Sequence, residues 1–359
     1  MTHIFARGIA ALFAVGAALP AFAQDVGETP LEESAIVVDA PLLLPSAGLM
    51  NDHMHEGGEF MIGLRFDRQN SGGLHQAGAD TMSDAETLAA GYKVRGNRMT
   101  MDMVMLDLMF APNDTVTLMV MPHYMWHRME MIGIDPSVTG TGMSMTGLAY
   151  GSTMKHGSDG FGDTLVSASY RLARSASFGA HATLGVWAPT GSASIRKANG
   201  NFEHFMLQPG SGTWDVEPSV TMQGREGALG WGGQAAYKWR TEQANASGYR
   251  LGDKARVTGW VSYLTGNSAG ITGRVEYAHE GSIVGQYNGP HGVMSPADRP
   301  ENYGGDVVTA SLGLNWLLPV GGARRPQASV EFGVPVYQNL NGVQMPQKWR
   351  LSMGLLQTF

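Results

Sequence analysis

The chain contains no cysteine. Disulfide bonds, thiolate metal sites and cysteine nucleophiles are therefore excluded, and backbone pairing and burial must supply the stability of the fold. Charged residues are scarce, at 15%, and the net charge of −7 argues against a nucleic-acid partner, which needs a basic face. Beyond the N-terminus no run of eighteen apolar residues occurs, so the sequence does not predict a membrane-spanning helix.

The first 23 residues have the pattern of a secretory signal peptide. They combine Arg7, an apolar run and the small-residue ending Ala21-Phe22-Ala23. We therefore predict export with cleavage after Ala23. An acidic, proline-containing stretch follows, and we predict that residues 24–57 form a periplasmic segment with little regular structure.

Residues 98–128 show the alternation of a β-hairpin whose two faces differ in chemistry. One face is apolar and consists of Val104, Leu106, Leu108, Phe110, Val116, Leu118, Val120, Pro122, Tyr124 and Trp126. The other carries mainly sulfur, imidazole and carboxylate groups, at Met99, Met101, Met103, Met105, Asp107, Met109, Thr117, Met119, Met121, His123, Met125 and His127. Because successive strand side chains point to opposite faces, this pattern is typical of strands between lipid and a lumen.

The same alternation recurs along the rest of the chain. It predicts strands at residues 58–67, 99–110, 116–127, 161–173, 177–188, 213–223, 228–240, 256–264, 270–279, 306–317, 327–337 and 348–359. Short and long links alternate between them, as in outer-membrane barrels with short periplasmic turns and long external loops. We therefore predict an all-β protein, a closed antiparallel up-and-down transmembrane β-barrel of about twelve strands over residues 58–359.

This topology predicts two external loops, and the final strand indicates where the barrel is located. Residues 338–347 are predicted to form the last external loop. An earlier loop, after the hairpin, is predicted to contain Met129, Met131, Met143, Met145, Met154 and His156. The final strand ends in Phe359 and resembles the C-terminal signal strand of Gram-negative outer-membrane proteins, so the predicted location is the outer membrane, in contact with its lipid.

Methionine is concentrated in one part of the chain, since 17 of the 23 residues lie between Met50 and Met154. Thioether and imidazole groups together suit a soft ion such as Cu(I) better than Mg²⁺, Ca²⁺ or Zn²⁺. Residues i and i+2 of one strand are roughly 7 Å apart, so two ligands of one ion must come from neighbouring strands. Methionine also fills interiors and contacts apolar ligands as a flexible side chain, and that alternative stays open.

A short segment before the first strand adds two histidines, His53 and His55, which lie on the same side of an extended chain and could chelate Cu(II) or Zn. The complete set of predicted metal contacts is His53, Met54, His55, Met101, Met103, Met105, Met119, Met121, His123, Met125 and His127. The remaining scattered histidines, among them His204, are expected to be satisfied singly. No nucleophile-elbow, zincin or phosphate-loop pattern occurs, so we predict no enzymatic activity.

Residues 48–55, 58–61, 99–103 and 111–114 resemble a transporter-like outer-membrane β-barrel family of Proteobacteria, distantly similar to the barrels of aromatic-degradation pathways. The resemblance implies an outer-membrane location and a transport role, with copper handling as an association, and it brings no catalytic residues. We therefore expect passage or binding of a small solute, with a copper ion as the sharpest candidate. The alternatives are transport of apolar or aromatic small molecules, or a closed structural or adhesive barrel acting through its external loops.

Overall fold

A computed structural model of the protein describes residues 47–144, 147–266, 268–319 and 325–359. The predicted signal peptide, most of the predicted periplasmic segment and Met145 lie outside these residues. In this part of the chain no helix has the length and apolarity needed to span a membrane.

The described elements, in chain order, are β1 Phe60–Gly72, β2 Gln76–Gly78, β3 Asp80–Thr81, α1 Asp84–Ala89, β4 Val94–Asn113, β5 Val116–Met121, β6 His123–Gly133, β7 Met143–Ser144, β8 Gly147–Leu148, β9 Thr153–Phe161, β10 Thr164–Arg174, β11 Phe178–Ala188, η1 Phe205–Leu207, β12 Asp215–Glu226, β13 Leu229–Arg240, β14 Tyr249–Arg250, β15 Lys254–Leu264, β16 Ala269–Glu280, β17 Val284–Gly285, η2 Pro296–Asp298, η3 Pro300–Asn302, β18 Gly305–Leu317, β19 Gln327–Gln344 and β20 Gln347–Thr358.

Twelve antiparallel wall strands close into a barrel, which confirms the predicted fold class. Ten of them are single elements, and the third and fourth each consist of two pieces, β5 with β6 and β9 with β10. The ring closes at β1, which pairs with both β4 and β20; Leu64, for example, lies opposite Leu106 on one side and Leu355 on the other. Closure leaves no free sheet edge in the wall, so lipid meets no unpaired backbone group there.

The third and fourth wall strands are interrupted side by side. Pro122 separates β5 from β6, and proline has no N–H group to donate to the neighbouring strand. Opposite it, Gly162 and Asp163 separate β9 from β10, and the Gly162 N–H donates to the His123 carbonyl at 3.0 Å. A Cβ atom at position 162 would overlap the His123 ring, so glycine is required at this break.

The two faces of the wall alternate as predicted. Met105, Asp107, Met109, Met119 and Met121 are buried inside, and their outward-facing neighbours are exposed or half-buried. The exposed apolar side chains of the outer face include Leu64, Leu106, Phe110, Leu118, Val120, Val166, Leu184, Val220, Val261, Leu312, Val334 and Leu355. An apolar outer band of this kind is what a bilayer requires.

Aromatic residues mark both edges of this band. At the end with the long connections, Tyr124 packs against Trp126 and Phe161, with ring centroids 4.8 and 5.2 Å apart. At the end with the short turns, Phe60 lies 6.5 Å from Phe359. Such belts form at the two membrane interfaces, and the short turns identify the second edge as the periplasmic one.

The predicted boundaries of two external loops are wrong, because the wall strands are longer than the predicted segments. Met129 and Met131 lie in β6, and Met154 and His156 lie in β9, where Met131 pairs directly with Met154. Hydrogen bonding between β6 and β9 carries the hairpin beyond the membrane-facing band.

Residues 338–347 are likewise no loop. β19 continues to Gln344, and β20 begins at Gln347. The Gln338 side chain donates to the Gln347 carbonyl at 3.1 Å and accepts from its N–H at 3.0 Å. Because β2 also pairs with the end of β19, both strands stay ordered up to a turn of two residues.

Candidate functional site

Residues 47–56 lie inside the barrel, where lumen-facing side chains bind their backbone. Arg65 donates to the carbonyl oxygens of Ala47 and Leu49 at 3.1 and 2.5 Å. Arg350 donates to the Gly48 carbonyl at 3.2 Å, so the first and last wall strands hold the same turn. Hydrogen bonds to charged donors are stronger than neutral ones, which fixes this end of the segment.

The middle of the segment is bound from the opposite wall. The Asn51 carbonyl lies 2.9 Å from His181 Nε2, and the Gln234 side chain donates to the Met50 carbonyl, also at 2.9 Å. Farther along, the His55 N–H donates to Thr117 Oγ1 at 3.1 Å. The segment therefore crosses the lumen from wall to wall, and we call residues 47–56 the plug.

The two plug histidines are both buried, with ring centroids 5.0 Å apart. His53 Nδ1 lies 3.1 Å from Asp52 Oδ1, and His55 Nδ1 lies 3.3 Å from Glu59 Oε2. Met54, between them, is half-buried. The structure thus brings the predicted pair together, but each imidazole already faces a carboxylate, and metal binding by this pair stays a prediction.

The methionines of the wall pack in two clusters at different depths. The deeper cluster, beside the plug, comprises Met61, Met105, Met109, Met119, Met121, Leu165 and Trp187, with Met50 and Met103 against it. The outer cluster comprises Val94, Met99, Met129, Met131, Leu148, Leu207 and Ala297. Full burial of a side chain of this size contributes about 1.5–3 kcal/mol, so the clusters stabilise the barrel whatever else they do.

The strand register places predicted ligands directly opposite one another. Across the pair β4 and β6, Met101 faces His127, Met103 faces Met125, and Met105 faces His123. Cross-strand neighbours of this kind are about 4.5–5.5 Å apart. The register therefore supplies the pairing that a soft ion would need, while metal binding by these residues stays a prediction.

The opposite wall of the lumen is ionic. Its pairs are Asp67–Arg350, Asp215–Arg240, Glu217–Lys238, Glu217–Arg256, Lys254–Glu280, Arg274–Glu276 and Arg274–Glu331. The alternation in the sequence places these residues on the inner face, but the pairs depend on the strand register, which the sequence did not provide. Most thioether groups therefore lie on one side of the lumen and most ion pairs on the other, although Arg65 and Asp107 pair beside the methionines.

The external connections form an aromatic cap. Phe205 stacks on Tyr287 with ring centroids 4.3 Å apart, and Phe202 stacks on the same ring at 4.2 Å. Tyr249, from a third connection, meets Phe205 edge-on at 4.8 Å. We call residues 189–214, 241–253 and 281–304 together the cap. The cap could not be predicted from the sequence, since these aromatic residues are spread over three separate loops.

The interruption of the fourth wall strand anchors the cap to the barrel. The Asp163 carboxylate accepts from the Gly191 N–H at 3.1 Å and from the Ser211 N–H and hydroxyl at 2.8 and 2.6 Å. A charged acceptor between β9 and β10 therefore fixes both ends of one cap segment over the lumen.

A cavity of about 500 Å³ lies beneath the cap. One side is lined by Met99, Met101, His123, Met125 and His127, four of which are predicted ligands, together with Trp187. The other side is lined by Lys238, Arg240, Lys254 and Glu280. Lys238 Nζ lies 3.4 Å from the centre of the Trp187 ring, so the two sides meet in a cation–π contact. The site therefore offers an apolar surface beside ion-paired cationic and carboxylate groups.

The solved structures to which this chain is similar include outer-membrane proteins. The COG4313 outer membrane channel from Pseudomonas putida F1 is 14% identical, with a TM-score of 0.54 over 86% of this chain and 97% of its own. A mutant of the monoaromatic hydrocarbon channel TodX is 7% identical over 85% and 90% of the two chains, with a TM-score of 0.41. The KdgM porin is 11% identical over 83% and 99%, with a TM-score of 0.38. The first of these shows the shared fold.

Sequence comparison identifies the family. No curated protein matches the sequence. A family model described as "Putative MetA-pathway of phenol degradation" matches residues 124–345, which is more than half of the chain. The protein lies in the outer membrane as a closed twelve-strand barrel, and it belongs to this family.

Proposed function

We propose that the protein is an outer-membrane channel for small aromatic molecules that carry one polar group, of which phenol is the simplest. The observation that supports this most directly is the cavity of about 500 Å³, with thioether and indole groups on one side and ion-paired ammonium, guanidinium and carboxylate groups on the other. Its volume lies in the usual range for small-molecule sites, roughly 300–1,000 Å³. An aromatic ring fits the first side, and a hydroxyl or phenolate oxygen fits the second.

The family description supports the same class of solute, because it connects these barrels with phenol degradation. Degradation inside a cell requires the compound to cross the outer membrane first. A polarizable methionine surface is suited to this task, since it contacts aromatic rings favourably without binding them tightly.

In the described conformation the plug crosses the route to the periplasm. Passage therefore requires residues 47–56 to shift, either by themselves or in response to a solute in the cavity. The plug carbonyls are held by side-chain donors, among them Arg65, Arg350, Gln234 and His181, and not by the strand ladder, so a local rearrangement leaves the wall hydrogen bonds intact.

Met125 provides a test of the aromatic-channel proposal. In Met125→Glu the apolar side of the cavity gains a carboxylate that an aromatic ring would have to desolvate, and we expect uptake to fall about tenfold or more. Met125→Leu keeps the volume and the apolar character, so uptake should stay near the wild-type rate. The measurement is the initial uptake of radiolabelled phenol by intact Gram-negative cells carrying each variant. Equal uptake with and without the wild-type protein would refute the proposal.

A second candidate is passage of a soft ion such as Cu(I), favoured by the opposed Met101–His127 and Met105–His123 pairs. Leucine substitutions separate the two candidates, because leucine retains the apolar contact but removes the thioether ligand. Loss of copper uptake together with retained phenol uptake in Met101→Leu/Met105→Leu, which removes the thioether from both pairs, would show that thioethers serve an ion. Unchanged copper uptake in this variant would remove the soft-ion candidate.

A further inference from the structure

A separate cluster of potential metal ligands lies at the cap, outside the cavity described above. The ligand-type atoms of His156, Glu203 and His204 all lie within 4.8 Å of one another. Across the residues that the structure describes, no other group of three His, Asp or Glu side chains is this compact. His156 belongs to β9, whereas Glu203 and His204 come from the cap segment that precedes η1. The cluster therefore bridges the wall and the cap.

His204 is a buried imidazole beside a carboxylate. Its Nδ1 lies 2.9 Å from Asp298 Oδ1, but neither ring nitrogen has a partner in hydrogen-bond geometry, although the residue is only 4% exposed. Metal-bound histidines commonly donate their second nitrogen to a carboxylate, which fixes the tautomer and the ring orientation. A buried ring nitrogen without a partner is otherwise costly, and a metal ion would satisfy it.

The charges around the cluster favour a cation. Glu203 and Asp298 contribute two negative charges, and the Lys197 ammonium, 3.9 Å from Glu203 Oε2, contributes one positive charge. With neutral imidazoles the site keeps a net negative charge, which a divalent ion would compensate.

We propose that His156, Glu203 and His204 bind a divalent transition-metal ion of borderline softness, with Zn²⁺ as the representative. Two imidazoles and one carboxylate form a recognised three-ligand set for Zn²⁺ that leaves further positions open. An adjoining cavity of about 660 Å³, which His291 and Met154 help to line, gives the ion access and room for water. Because the ligands come from β9 and the cap, bound metal would tie the cap to the wall.

The test is a calorimetric titration of Zn²⁺ into the full-length barrel in detergent, after treatment with a chelator. We expect one equivalent of Zn²⁺ to be lost in His204→Ala and, independently, in the nearly isosteric Glu203→Gln. Asp298→Asn should still bind one equivalent of Zn²⁺, but with an affinity about 10- to 100-fold lower, because the substitution alters only the orientation of the histidine. Lys197→Met should tighten binding, since it removes the competing ammonium.

The matched control is His279→Ala, because His279 pairs with Asp306 on another wall strand, at 2.8 Å. It should retain the full Zn²⁺ stoichiometry. Heat-modifiable migration in gel electrophoresis checks that each variant has folded. The visible absorption spectrum of a Co²⁺-loaded sample reports whether the ligands are nitrogen and oxygen atoms. Wild-type protein that binds no Zn²⁺, or wild-type stoichiometry and affinity in folded Glu203→Gln, would overturn the proposal. Neither result would affect the channel proposal, which depends on the other cavity.

Discussion

Replacing residues 47–56 with a glycine–serine linker of the same length should convert a nearly closed barrel into an open pore. The plug crosses the lumen and is bound by both walls, so its removal leaves side chains as the remaining obstruction on the periplasmic side. We expect single-channel conductance in planar bilayers to rise by about an order of magnitude, because the lining side chains of the twelve-strand barrel and the cap are then the remaining constrictions.

A single substitution gives a graded form of this experiment. A Cβ atom at Gly48 would lie 2.6 Å from Glu331 Oε1 and 2.9 Å from Arg274 Nη2, so Gly48→Leu forces the plug or these two side chains to shift. Its conductance should lie between those of the wild type and the linker variant. Arg128→Ala, on the exposed outer surface, is the control and should behave as wild type. Equal conductance in the linker variant and the wild type would mean that the plug does not close the route.

Removal of Arg274 should destabilise the barrel more than any other single change in the ionic wall. Arg274 forms a bidentate pair with Glu331, at 2.5 and 3.1 Å, and both side chains are fully buried. In Arg274→Met the Glu331 carboxylate stays buried without its guanidinium partner. Breaking a buried pair in this way costs about 3–5 kcal/mol. The measurement is urea unfolding of the refolded barrel in lipid vesicles, followed by tryptophan fluorescence.

Two further variants show whether the stability lost in Arg274→Met comes from the unpaired charge of Glu331. Lys254→Met breaks a pair of similar length, 3.1 Å to Glu280, but both side chains are about a third exposed. Its cost should stay below about 1 kcal/mol. The double variant Arg274→Met/Glu331→Gln removes both charges, and it should recover part of the free energy of unfolding that Arg274→Met loses. If Arg274→Met unfolds no more easily than Lys254→Met, the buried pair does not support the wall.

The barrel itself could be predicted from the sequence because side-chain alternation is a local property. The inward positions of Met105, Met119 and His123 follow directly from the two-residue period of a strand. Strand ends could not be predicted in the same way. β6 and β9 continue past the membrane because they pair with each other, and nothing in the segment around Met131 shows this by itself.

The closure of the lumen could not be predicted for a different reason. The plug has no periodicity, and its position depends on donors such as Arg65, Gln234 and Arg350, which come from distant strands. The cap cluster depends on loops that are far apart in the sequence. His204 was expected to be satisfied singly. The structure places it 2.9 Å from Asp298 and close to His156 and Glu203, and only the folded cap brings these residues together.

The absence of cysteine permits one direct test of the central claim, that thioether groups face a cavity for aromatic solutes while hydrocarbon faces lipid. Single cysteines would replace Met101, in the cavity wall, and Leu106, on the outer face of the same strand, and each would carry a small fluorophore in the vesicle-inserted barrel. We predict that nitroxide-labelled lipid quenches the label at position 106 only, and that phenol slows labelling at position 101 only. Lipid quenching at position 101, or equal labelling there with and without phenol, would contradict the claim.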